Sequence, residues 1–131
     1  MKSNLKRLSD TEMEIMREIW AMENEITVSR LLDIFTPRRD WKKSTLSTLM
    51  DRLIEKGYLH KSIRGKTNIY TPALNEEAYK KHQTQVFLEA VHNGNMKSFV
   101  ASFADIKGLT DDDIAEISAW LDEKVGTRQG D

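Results

Sequence analysis

The chain has 131 residues, 39% of them apolar, a formal net charge of −1 and no cysteine. That length supports one modest core with a small appendage rather than a multidomain enzyme, and the missing cysteine excludes disulfides and thiolate metal sites. No stretch approaches the roughly 20 apolar residues of a membrane span, and the start lacks the apolar run of a signal peptide. A cytoplasmic protein without membrane insertion is expected.

In chain order, Ser9 with Glu12 three positions on forms a capping box, and Leu8 with Met13 occupies the hydrophobic staple positions. This predicts a helix from about Asp10 to Met22 with Ile15, Met16, Ile19 and Trp20 on its apolar face. Thr27 caps a second helix through Val28, Leu31, Leu32 and Phe35, which ends before Pro37. Arg38-Arg39-Asp40 reads as a basic turn, with Asp40 as the expected cap of a third helix.

In that third helix Leu46, Leu49, Met50 and Leu53 share one stripe, whereas Thr45, Thr48 and Arg52 fall together on a separate polar face. Gly57 is placed to end it in the left-handed conformation, with Lys56 complementing the helix dipole. Loose alternation over 58–63, a glycine-containing turn at Arg64-Gly65-Lys66-Thr67 and a return over 68–71 predict a hairpin with a basic tip, stopped by Pro72. Three helices and a hairpin give the layout of a winged helix-turn-helix, the hairpin being the wing.

After Pro72 only helices are expected: 76–92 capped by Asn75, a break at Asn93-Gly94-Asn95, 96–104, and a last helix opened by Thr110. The fold class is therefore mainly α with a small β-hairpin, with a winged-helix domain at 1–73 and a helical dimerisation domain at 74–131. Ile114, Ile117, Leu121 and Val125 form a seam that Trp120 widens, and Phe87, Phe99, Val100 and Phe103 add apolar positions. Three such helices cannot close a core alone, so a second copy of the chain is the expected cover. Residues after Val125 read as frayed.

Charge separates the same two regions. Residues 36–72 hold nine Lys or Arg against three acids, and residues 73–131 hold six against eleven. A polyanion suits the first, and protein contact the second. Arg52 is placed either to read guanine in the major groove or to pair with Glu55 or a phosphate. Thr45 and Thr48 share its face, and thymine methyls or phosphates are their candidate contacts. Lys42, Lys43 and Ser44 sit at the helix start, where side chains and amides position phosphate, although solvation alone also explains the lysines. Arg64 and Lys66 at the wing tip are further phosphate or minor-groove candidates, while Trp41 is expected to pack. His60, His82 and His92 lack metal-site spacing, and no nucleophile-base pair or phosphate-binding glycine loop occurs. Neither metal, cofactor nor enzymatic activity is expected. The rival to double-stranded DNA as ligand is a winged helix serving as a protein-interaction module.

Several segments resemble the BlaI/MecI/CopY group of bacterial transcriptional repressors, the penicillinase repressors. They are Leu8-Ser-Asp-Thr-Glu12 with Ile19-Trp20, Ser44 to Gly57 with its two threonines, leucine pair, Arg-Leu and Lys-Gly, Tyr70-Thr-Pro72, and Met96-Lys-Ser98, similar to the family's dimerisation segment. The resemblance implies a homodimeric repressor on inverted-repeat operator DNA of resistance genes. In the family's β-lactam branch a membrane sensor protease triggers cleavage of an Asn-Phe bond, which by similarity corresponds to Ser102-Phe103, with serine in place of asparagine. The copper branch binds metal through Cys-x-Cys motifs, which this cysteine-free chain excludes.

Overall fold

The structure is a computed structural model describing residues 5–129. Its elements are α1 (Asp10–Ala21), α2 (Val28–Phe35), α3 (Lys43–Glu55), β1 (Leu59–Arg64), β2 (Thr67–Pro72), α4 (Glu76–His92), α5 (Met96–Phe103), a π-helical turn (Ala104–Gly108) and α6 (Asp111–Gln129). The described residues divide into two compact units between Lys81 and His82.

The first unit is built as the apolar spacing dictates. Ile15, Met16 and Ile19 of α1, Leu31 and Phe35 of α2, and Leu46, Met50 and Leu53 of α3 are essentially inaccessible to solvent and form one cluster. Ser9 and Glu12 make the expected capping box, and the Thr27 hydroxyl accepts from the Arg30 amide at 3.1 Å. Asp40 does not cap α3, contrary to the sequence reading. Trp41 stacks on Phe35 with ring centroids 5.0 Å apart, the chain stays extended through Lys42, and the helix begins only at Lys43 with no side-chain cap. At its other end the Tyr58 amide donates to the Leu53 carbonyl and Gly57, at φ +94°, donates to Ile54, which is a Schellman closure with Tyr58 and Leu53 both buried.

The hairpin pairs Leu59 with Pro72 and Arg64 with Thr67, leaving Gly65-Lys66 at the tip. Gly65 alone of that pair has positive φ, as the first central residue of a II′ turn requires. A feature the sequence did not signal is a bridge between Ile26 and Tyr70, through which the α1–α2 connection becomes a short third partner of the wing. The first unit runs past the wing because Trp20 Nε1 donates to the Leu74 carbonyl at 3.0 Å and Tyr79 lies against the rings of Trp20 and Tyr58.

Residues preceding α1 lie over the far end of α3. The Lys56 ammonium donates to the Arg7 carbonyl at 3.0 Å and to Glu12 Oε1 at 2.5 Å, and the Tyr58 hydroxyl donates to the Lys6 carbonyl at 2.6 Å. Glu12 is thus both capping-box partner and buried counter-ion, 2% exposed. Burial opposes its charge, but donation from Lys56 and the Ser9 amide, with the Lys56 charge and the Ser9 hydroxyl, holds its carboxyl below the ordinary value.

In the second unit Asn95 caps α5 through the Ser98 amide, and Thr110 and Asp113 cap α6 reciprocally. The break at Asn93-Gly94 uses two successive positive φ angles. Two expectations change. The piece expected to end at Ala104 gives way after Phe103 to the π-helical turn. The last helix continues to Gln129 rather than fraying after Val125; residues 130–131 lie outside the described residues. The apolar positions of this unit stay open: Phe87, Val100, Phe103, Ile114, Ile117, Trp120 and Leu121 are about half exposed, and among the described residues of the unit only Leu88 is buried.

Glu12→Gln keeps the oxygen that accepts from Ser9 but removes the charge facing Lys56, itself only a quarter exposed. A loss of about 2 kcal/mol in urea-melt stability is expected, less than for a fully buried pair because Lys56 can turn to water. A carboxyl lowered in the folded state stabilises above its unfolded value of 4.5, and that contribution is lost as pH falls through the folded value. Urea melts at stepped pH should therefore show a shallower acid decline below pH about 4.5 in the variant.

Candidate nucleic-acid interface

The rotation of α3 is set by its buried side. With Leu46, Met50 and Leu53 fully enclosed, Ser44, Thr45, Thr48 and Arg52 are exposed. Among the described residues the Arg52 guanidinium has no hydrogen bond or ion pair, so the Glu55 partner the sequence allowed is not taken. Thr48 Oγ1 donates to the Ser44 carbonyl at 3.0 Å. Its donor is therefore spent on its own helix, and it offers a partner its methyl group and oxygen lone pairs.

The start of α3 combines exposed Lys42 and Lys43 with first-turn amides that no side chain caps. Unfilled N–H groups, the positive end of the helix dipole and two lysines together favour an anion. Lys43 also lines a cleft of about 290 Å³ with Ser47, Lys66, Thr67, Asn68, the α2 cap Thr27 and the first residues of α2, Val28 and Ser29. Lys43 of the helix and Lys66 of the wing turn therefore border one concavity. Ser47, Asn68 and Ser29 were not singled out from sequence, because a serine flanking an apolar stripe or an asparagine in a strand carries no distinguishing period.

The basic stretch is less free than its composition indicates. Arg38 pairs with Glu18 at 2.6 Å and with Glu14, and Arg39 pairs with Glu14 at 2.6 Å. The two guanidiniums also lie over the rings of Phe35 and Trp41, 5.2 and 5.4 Å from the centroids. Arg64 forms a two-pronged pair with Glu25, Nη1 to Oε2 and Nη2 to Oε1. The Arg64 hydrogen bond, helped by the charges of Arg64 and Arg30, holds the Glu25 carboxyl below its ordinary value although loss of solvent opposes it. With Lys56 held by Glu12, four of the nine cations in 36–72 are matched by carboxylates from outside that stretch. Those without an ion pair among the described residues are Lys42, Lys43, Arg52, Lys61 and Lys66.

The second unit carries a different surface. Phe99 is partly covered by T-shaped contact with Phe87 and His92, at 6.1 and 5.6 Å. Val100, Phe103, Ile114, Ile117, Trp120 and Leu121 stay about half exposed. Ser102 and Phe103 sit in the last turn of α5, both exposed. Among the described residues no group of three or more His, Asp or Glu side chains is placed to hold a metal ion, and no helix is long and apolar enough to cross a membrane.

Comparison with known proteins converges on one family. The chain is 29% identical over 119 residues to a penicillinase repressor of Bacillus licheniformis, covering 91% of this chain and 92% of that one. It is 27% identical to the methicillin resistance regulatory protein MecI of Staphylococcus aureus strain N315, covering 95% of this chain and all of the relative. The solved DNA-binding domain of the repressor BlaI superposes with TM-score 0.50 at 32% identity, covering 60% of this chain and 94% of that domain. Because the sequence pattern of the penicillinase repressors matches residues 8–123, with the winged-helix arrangement already described, the chain belongs to the penicillinase repressor family.

Proposed function

We propose that the protein is a transcriptional repressor that binds an inverted-repeat operator as a homodimer and controls a resistance or stress operon. The observation that carries this reading is the outward polar face of α3, Thr45, Thr48 and Arg52, flanked by cations without counter-ions among the described residues. α3 enters the major groove, where the two free prongs of Arg52 match the O6 and N7 acceptors of guanine. Lys42, Lys43, Ser44 and the uncapped amides take backbone phosphate, and Lys66 takes it from the wing. The winged helix of 1–73 reads DNA, and the helices of 74–131 join two copies. Phe87, Phe99, Val100, Phe103, Ile114, Ile117, Trp120 and Leu121 supply the surface between them. The names borne by the relatives, penicillinase repressor and methicillin resistance regulatory protein, support the same reading.

Release belongs to this proposal too. The Ser102-Phe103 bond is the candidate for cutting through a membrane sensor protease pathway, and its exposure in the final turn of α5, beside a π-helical turn, supports it, since helix ends unwind most readily. The cytoplasm is the proposed compartment.

Arg52→Ala is expected to weaken operator binding by about 1–3 kcal/mol and to relax base preference at one position of each half-site, measured by titration of labelled duplex variants. Lys43→Gln and Lys66→Gln should each lower the slope of log K against log salt by about one, with little change in sequence preference. A protein that shifted no promoter duplex at any salt would instead favour the protein-interaction role.

Ile117→Asp with Leu121→Asp places two charges on the proposed joining surface. The sedimenting mass should halve, and operator affinity should fall toward that of a single half-site. An unchanged mass would remove these two residues from the subunit contact.

A further inference from the structure

The three ion-paired arginines of the basic stretch are held in two different ways. Arg38 and Arg39 each have a carboxylate and an aromatic ring, so removing one hold leaves the other. Arg64 has Glu25 alone among the described residues, and the pair stands in water, with side chains 67% and 41% exposed. Glu25 lies in the α1–α2 connection, one residue before Ile26, which bridges to Tyr70 of the wing. The carboxylate is thereby anchored to the wing from which Arg64 projects. A carboxylate and a phosphate present the same pair of oxygens to a guanidinium fork, so one can replace the other with the arginine geometry preserved.

We propose that Glu25 is a built-in stand-in for a backbone phosphate: Arg64 leaves it for DNA on binding, and the competition restrains the wing from gripping duplex of any sequence. This rests on the DNA-binding reading above. Because the carboxylate remains beside the incoming phosphates after the exchange, it recruits a cation and cancels part of the counterion release that Arg64 would otherwise contribute. The restraint acts equally on cognate and random duplex, but it matters most for random duplex, where base contacts are absent and phosphate contacts dominate.

The test is a salt titration of random-sequence duplex with the full chain, wild type against Glu25→Gln, Arg64→Ala and the double variant. Glu25→Gln is expected to tighten binding about two- to fivefold at low salt, the range an exposed ion pair commands, and to steepen the salt slope by roughly half of one phosphate contact's share. Arg64→Ala should make the wild-type slope shallower, and the double variant should behave as Arg64→Ala alone. Tightening that survives removal of Arg64 overturns the exchange. So does weaker or unchanged binding by Glu25→Gln, which would make Glu25 a fixed anchor of the wing. So does a wild-type slope indifferent to Arg64. Failure of the wild type to bind any duplex defeats the DNA reading itself, and is thereby distinct from a wild type that binds while Glu25→Gln changes nothing.

Discussion

The burial of Leu46, Met50 and Leu53 against α1 and α2 is the constraint on which the rest of the first unit depends. A helix carries its side chains at fixed angular intervals, so enclosing one stripe decides where every other residue points. Thr45, Thr48 and Arg52 face solvent because three neighbours cannot. The Schellman closure at Gly57 and the Glu12–Lys56 pair hold the C-terminal end of α3, while the start of the helix is left without a side-chain cap. Stability is concentrated at the end away from Lys42 and Lys43, and unfilled hydrogen-bonding capacity is concentrated beside them.

The electrostatics follow the same division between what is held and what is left open. Composition alone gives residues 36–72 a strong positive surplus. In the folded chain Glu12, Glu14, Glu18 and Glu25 take up four of those cations, and the free charge contracts to the start of α3, Arg52, Lys61 and the wing turn. A general attraction for polyanions becomes a smaller surface of defined outline. Exposed pairs of this kind add little to stability; their effect is on where charge remains available.

The helices, the hairpin, most caps and the core were legible because each rests on a local rule: a period, a capping box, a glycine that must turn left-handed. The misses share a cause. Asp40 resembles a cap by type, but the stacking of Trp41 on Phe35 moves the helix start beyond its reach. The π-helical turn after Phe103 has no compositional mark. The pairing of Arg64 with Glu25 and the Ile26–Tyr70 bridge join residues 39 and 44 positions apart, a separation no periodicity encodes. For the candidate interface, sequence identified the outward face of α3 and the lysines of its first turn, but not which arginines are already committed to carboxylates.

The short segment ahead of α1 has a mechanical consequence. Through the carbonyls of Lys6 and Arg7 it receives the phenol of Tyr58 and the ammonium of Lys56, and Leu5 lies 3.2 Å from where a Cβ on Gly57 would stand. An aminopeptidase trimming through Arg7 would therefore strip two acceptors from the rear of α3 while leaving its forward face chemically intact. A defect from such trimming would look like a change in the exposed polar face, although the damage lay at the opposite end of the rod.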